Sequence, residues 1–258
     1  MSEGSVRLVR DGSLATVVFD RPQARNAMTW AMYQQLVDIC EQVRGDASIR
    51  VVIMRGAGGE AFVAGTDIEQ FKAFGSGDDG VAYERRIDAA ITGIETLPVP
   101  TLAVIEGWAV GGGLAIATAC DIRVATPNAR FGVPIARTVG NCLSVANLAR
   151  LIAAFGRARV QRMLVGAELL AATEAQSAGY LAEITEPAAL DAAVQRRAQN
   201  LASLAPVTQA ATKEAMHRLL AHHLPADDDL IRRCYGSEDF REGVAAFAAK
   251  RPPVWRGR

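Results

Sequence analysis

The order of apolar and polar positions divides this chain into elements before any single residue is weighed. Val6 and Leu8, then Leu14, Thr16 and Val18, alternate on either side of Asp11-Gly12. That dipeptide suits a tight turn, so the pattern predicts a hairpin. Trp30, Met32, Tyr33, Leu36, Val37, Cys40 and Val43 recur at helical spacing behind Thr29, a suitable N-cap. Short apolar runs at 51–54, 101–105 and 122–125 read as buried strands. Helices are expected between them, from about Gly80 to Glu95 and again from the glycine triplet Gly111-Gly112-Gly113. Strands alternating with helices predict an α/β fold with mostly parallel pairing.

Beyond about Asn141 the periodicity is helical. Segments 144–155, 157–165, 173–178, 187–204, 206–221, 227–235 and 237–250 all carry it, and only 181–184 reads as a strand. The expected organisation is an α/β core over 1–195 and a helical region over 196–258. The stretch 75–80, Gly-Ser-Gly-Asp-Asp-Gly, reads as the most flexible loop.

Composition narrows the class. The 258 residues carry 28 Lys+Arg against 28 Asp+Glu, and half are hydrophobic. A disordered chain would be less apolar and more charged, and a general nucleic-acid binder would be basic. Cys40, Cys120, Cys142 and Cys234 form no C-x-x-C pair, which suits a reducing compartment. Residues 1–10 lack an apolar signal core, and the uncharged stretch between Glu106 and Asp121 is too short to span a bilayer. These features predict a cytoplasmic protein that binds neither membrane nor nucleic acid. All three histidines, His217, His222 and His223, lie in the C-terminal region, and the last two read as an exposed helix end. No cluster of His, Cys or carboxylates suggests a metal.

Two segments could carry chemistry. Ala61-Phe62-Val63-Ala64-Gly65-Thr66-Asp67-Ile68 follows a buried strand, and its small residues let a ligand approach the backbone closely. Taken alone, the segment is better explained as an ordinary strand-to-helix turn. In Glu106-Gly107-Trp108-Ala109-Val110-Gly111-Gly112-Gly113-Leu114, three glycines open a helix at a cost of about 0.5–1 kcal/mol each relative to alanine. Either close packing or N–H groups aimed at an anion would offset that cost. The P-loop and Rossmann spacings are both absent.

Together the segments resemble the crotonase, or enoyl-CoA hydratase/isomerase, superfamily along nearly the whole chain. Asp20-Arg21-Pro22-Gln23-Ala24-Arg25-Asn26-Ala27 is similar to its N-terminal signature, 61–68 to its A-F-x-A-G-x-D-I element, and 107–113 to its G-x-A-x-G-G-G element. Ala119-Cys120-Asp121-Ile122-Arg123, Phe131-Gly132-Val133-Pro134 and Glu238-Asp239-Phe240-Arg241-Glu242-Gly243 resemble later elements in order. The resemblance implies a spiral of ββα turns and C-terminal helices that form a trimer or a dimer of trimers. It also implies an acyl-CoA thioester substrate, with no cofactor beyond the coenzyme A it carries. It assigns the N–H groups of Ala64 and Gly112 to an oxyanion hole, and Ala64, Gly65, Thr66, Asp67 and Ile68 to adenine and pantetheine contacts. Arg25, Lys72, Lys250 and Arg251 are candidate cations for the CoA phosphates.

The pattern breaks at the chemistry. Hydratases of the superfamily carry one glutamate two residues after the glycine triplet and another after the F-G-x-P turn. Here Ala115 and Ile135 occupy those positions, and neither transfers a proton. Arg137, Asn141, Cys142 and Ser144 are the nearby substitutes: Cys142 as a nucleophile or proton carrier if its pKa falls, or as a small buried residue; Arg137 as a carboxylate clamp or a salt bridge. Tyr83 and Glu84 are weaker candidates, for which surface or packing roles are favoured. Three functions remain open: 2-enoyl-CoA hydration, another enolate reaction such as decarboxylation, isomerisation or thioester hydrolysis, and a silent acyl-CoA-binding subunit.

Overall fold

The hairpin forms as its alternation requires. In the computed structural model, which describes residues 4–222 and 224–258, β1 (Ser5–Asp11) pairs antiparallel with β2 (Leu14–Asp20), Asp11 facing Leu14. Thr29 caps α1 (Trp30–Arg44), its hydroxyl accepting the Met32 N–H at 3.3 Å. Met32, Tyr33, Leu36, Cys40 and Val43 form the helix's buried face, as their spacing predicts.

Three turns of one pattern follow. Each supplies a strand to a large sheet, a strand to a small sheet, and then helix. The first is β3 (Val51–Gly56), β4 (Ala61–Val63) and α2 (Gly77–Glu95). The second is β5 (Thr101–Ile105), β6 (Trp108–Val110) and α3 (Gly112–Ala119). The third is β7 (Ile122–Ala125) and β8 (Arg130–Gly132), followed by α4 (Ile135–Thr138), α5 (Val145–Phe155) and α6 (Arg157–Leu164). Then come β9 (Leu169–Ala171), α7 (Ala172–Ser177), β10 (Glu183–Ile184) and α8 (Pro187–Ser203). The large sheet runs β1-β2-β3-β5-β7-β10 and the small one β4-β6-β8-β9. The fold is the expected α/β spiral of ββα turns. The small sheet has no counterpart in the predicted elements, because strands of three residues are too short to show a period.

The parallel strands read as continuous apolar runs because both sheet faces are covered. Val52 and Met54 face the main core with α1, α2 and α3, while Val51, Ile53, Leu102 and Val104 meet Leu190, Val194 and Leu201 of α8. Helix α8 runs unbroken through position 195, where the core was expected to give way.

Three helices end the chain: α9 (Pro206–Ala221), α10 (Asp228–Tyr235) and α11 (Glu238–Ala248). α9 buries none of its residues, and Val207, Met216 and Leu219 are exposed. α10 and α11 fold back on their own chain, against α2 and the 3-10 turn Ile68–Ala73. The glycine-rich stretch 75–80 serves that packing rather than forming an open loop. Asp79 accepts the N–H groups of Gly75 and Ser76, and side chains at Gly77 and Gly80 would collide with Arg232 and Tyr235 of α10. His222 stands exposed after α9, whereas His223 lies outside the described residues. Among the described residues, no helix is long and apolar enough to cross a membrane.

Candidate active site

Pairing in the small sheet brings the two glycine-bearing segments together. β4 and β6 run parallel, with Ala61 beside Trp108 and Val63 beside Ala109. The turns leaving them are therefore neighbours. Gly65 (φ +94°) and Gly111 (φ +54°) hold backbone conformations that side chains disfavour. A Cβ on Gly111 would sit 3.5 Å from the Gly65 Cα, and one on Gly112 would sit 3.3 Å from Thr66 Oγ1 and 2.5 Å from the Tyr33 hydroxyl.

Backbone bonding decides which N–H groups remain for a ligand. Ala64, expected as a donor, is corrected here: its N–H donates to the Arg25 carbonyl at 3.0 Å. On either side of Thr66, the Gly65 carbonyl accepts from Met28 and the Asp67 N–H donates to Met28, both at 2.8 Å. This bridge turns Thr66's own N–H the other way, and it has no partner among the described residues. The Gly111 N–H donates to Gly132 at 3.0 Å, but that of Gly112, the first residue of α3, has no such partner among the described residues. The turn thus offers Thr66 and Gly112.

A buried latch sets this arrangement. Asn26 donates to the carbonyls of Ala57 (2.9 Å) and Ala61 (2.8 Å) and accepts the Arg21 N–H at 2.9 Å. Arg21 pairs with Asp67 at 2.8 Å, and Asp67 accepts the Glu69 N–H at 3.2 Å. The side chains of Arg21, Asn26 and Asp67 accordingly tie the turn in place. Ile68 opens the 3-10 turn and packs against the core.

The remaining candidates separate by position. Arg25 is exposed, its guanidinium 5.7 Å from the Trp108 ring centroid. Lys72 pairs with Glu69 at 2.6 Å and Arg251 with Glu242 at 2.6 Å, whereas exposed Lys250 has no ion pair among the described residues. Ala115 is buried and Ile135 half-buried, both against the main core. Arg137 is exposed on α4. Asn141 donates to the Tyr235 hydroxyl at 3.0 Å. Cys142 is half-buried, and its hydrogen bond with Cys234, followed by burial, pushes its thiol pKa up.

Sequence reasoning named Tyr83 and Thr66 separately but missed Tyr33 and the link among the three hydroxyls. Tyr33 Oη lies 2.9 Å from Thr66 Oγ1, which lies 3.0 Å from Tyr83 Oη. Tyr33 showed only as part of α1's apolar face and Thr66 only as a motif position, so no local pattern linked them. Tyr83 also joins an aromatic wall with Phe71 (centroids 5.0 Å apart) and Tyr235 (5.9 Å), closed by Tyr235 against Phe240 (4.8 Å).

Behind that wall, Glu84 is fully buried, accepting from Tyr235 Oη at 2.5 Å and the Ser144 N–H at 3.0 Å. Burial pushes its pKa to about 8, helped by Asp88 and Asp227 and opposed by those two hydrogen bonds. A carboxyl raised in the folded state contributes stability fully below its ordinary value of 4.5, and that contribution is lost as pH rises toward 8. Glu84→Gln should remove this slope. Urea titrations at pH 5 and pH 8 should find the variant close to wild type at pH 5 and more stable at pH 8, by on the order of a few kcal/mol. Equal differences at both pH values would show that Glu84 does not titrate in this window.

Comparison with known proteins gives matches along nearly the whole chain. The family model for enoyl-CoA hydratase/isomerase matches residues 10–258. The (E)-benzylidenesuccinyl-CoA hydratase of Thauera aromatica is 33% identical, covering 98% of this chain and 99% of its own. The crystal structure of an enoyl-CoA hydratase/carnithine racemase from Magnetospirillum magneticum is 33% identical with a TM-score of 0.80, over 100% of this chain and 97% of that one. A methylmalonyl-CoA decarboxylase complexed with 2S-carboxypropyl-CoA is 25% identical with a TM-score of 0.89, over 100% of both chains.

Proposed function

The chain belongs to the enoyl-CoA hydratase/isomerase family, and from that premise we propose that it is an enzyme that binds an acyl-CoA thioester, holds its carbonyl at the N–H groups of Thr66 and Gly112, and forms an enolate by decarboxylation. The donor pair differs from the one the resemblance assigns, because Ala64's N–H is engaged by Arg25. Two N–H groups, one at a helix N-terminus, suit the negative charge that develops on a thioester oxygen.

One observation carries the choice of reaction. The positions that would supply acid and base hold Ala115 and Ile135, both packed against the core. The groups nearest Gly112 and Thr66 are hydroxyls, and burial raises the pKa of Tyr33 and Tyr83, keeping both protonated. Such a site donates protons but does not abstract them. Decarboxylation of a 2-carboxyacyl-CoA needs no base: the bond between Cα and the carboxylate breaks, CO2 leaves, and the electron pair becomes the enolate, whose carbon then takes a proton. An apolar wall favours this step, since a carboxylate stripped of water loses its charge by leaving as CO2.

Exposed Arg137 would draw in the substrate carboxylate, and Arg25 and Lys250 would meet the CoA phosphates. The exposed apolar row on α9, Val207, Met216 and Leu219, supports assembly into a homotrimer or a dimer of trimers.

The test is product analysis after incubation with methylmalonyl-CoA, malonyl-CoA, crotonyl-CoA and a saturated acyl-CoA. Loss of CO2 from a carboxyacyl-CoA is expected. Hydration of crotonyl-CoA at ordinary enzymatic rates would overturn the reading. Binding without turnover across the set would assign a silent acyl-CoA module instead.

A further inference from the structure

The hydroxyls beside the site hold one proton more than their mutual contacts use. Tyr33, Thr66 and Tyr83 bring three O–H donors together, and the two contacts at 2.9 and 3.0 Å consume two protons. No further acceptor for any of the three occurs among the described residues. The third proton therefore has to be offered outside the trio. Its place follows from Gly112. The position a Cβ would take there is 2.5 Å from Tyr33 Oη and 3.3 Å from Thr66 Oγ1, so the trio borders the N-terminus of α3.

Burying a hydroxyl without an acceptor is costly unless a ligand completes it. Tyr33 is 1% exposed and comes from the apolar face of α1, so water is a poor substitute. Its burial also keeps it protonated, which suits a donor.

Resting on the acyl-CoA reading above, we propose that Tyr33 is a third hydrogen-bond donor to the enolate oxygen, acting beside the N–H groups of Thr66 and Gly112, with Tyr83 and the Thr66 hydroxyl positioning it. The bonds then run in one direction, Tyr83 to Thr66 to Tyr33 to the anion, and each polarises the next. No covalent bond forms or breaks in this step. Tyr33 discriminates between a neutral thioester and its anion, which is the difference that accelerates a reaction.

Calorimetric titration with two probes tests this without requiring turnover. Butyryl-CoA represents the neutral thioester, and the nitronate of 2-nitropropionyl-CoA is a stable mimic of the enolate. Wild type should prefer the nitronate. Tyr33→Phe should weaken nitronate binding roughly 10- to 100-fold while leaving butyryl-CoA within about twofold. Tyr83→Phe should act in the same direction but less. Thr66→Ser, which keeps the hydroxyl, should bind the nitronate like wild type, and Thr66→Val should not. Unchanged nitronate affinity in Tyr33→Phe overturns the proposal, as does equal weakening of both probes, which marks a packing role. A wild-type protein that binds butyryl-CoA but does not prefer the nitronate removes the enolate reading itself, and Tyr33's role with it.

Discussion

Gly112→Pro should lower kcat by roughly 10²–10³-fold, measured on the thioester that the substrate series identifies. Gly112 is the first residue of α3, where the helix itself does not use the N–H and a proline ring is tolerated. The substitution therefore removes the donor without breaking the helix. It also adds a Cβ at a position 2.5 Å from Tyr33 Oη, so Gly112→Ala is the necessary companion: it adds the same carbon and keeps the N–H. Turnover by the proline variant within threefold of the alanine variant would show that the Gly112 N–H does not bear on catalysis.

Gly113→Ala should be the most destabilising change at the site. The neighbouring glycine faces the opposite way, into β4. A Cβ there would be driven into the Val63 carbonyl and lie 2.8 Å from the Val63 side chain. Neither is the yielding end of a long side chain, so α3 must lift away from the sheet. Overpacking of that kind costs about 3 kcal/mol or more, which corresponds to a fall in Tm of roughly 6–12 °C. Thermal unfolding followed by circular dichroism measures it. A drop below about 2 °C would mean that the spacing between α3 and β4 is looser than the geometry describes.

The contrast between these adjacent glycines shows what was legible in the sequence. Close packing and a free N–H were alternative explanations for the triplet. Gly113 carries the first, and the second is the role proposed for Gly112. The long elements were readable because their burial repeats: the cap at Thr29, the face of α1, and the strands of the large sheet all followed from local pattern. The small sheet was not, since its strands are too short to repeat. The distinction between Ala64 and Thr66 was equally hidden. It depends on a bridge to Met28 and a bond to Arg25, partners some forty residues upstream that only the folded chain supplies. Likewise the trio draws its hydroxyls from α1, from the turn after β4 and from α2. Glu84 lay on a helix whose buried face was predictable, but its partners, Tyr235 and Ser144, come from distant elements.

The return of α10 onto α2 also bears on the order in which the molecule is made. The bond from Tyr235 to Glu84 spans 151 residues, and the aromatic wall that includes Phe240 spans a similar separation. The turns carrying Thr66 and Gly112 leave the ribosome long before α10 exists, so the donor groups can be in place while the wall beside them is still open. Contacts between distant parts of a chain form late. A nascent chain that stops before residue 228 would carry the pair of N–H groups without Tyr235 and Phe240, and competence to enclose a ligand would arrive only with the final thirty or so residues.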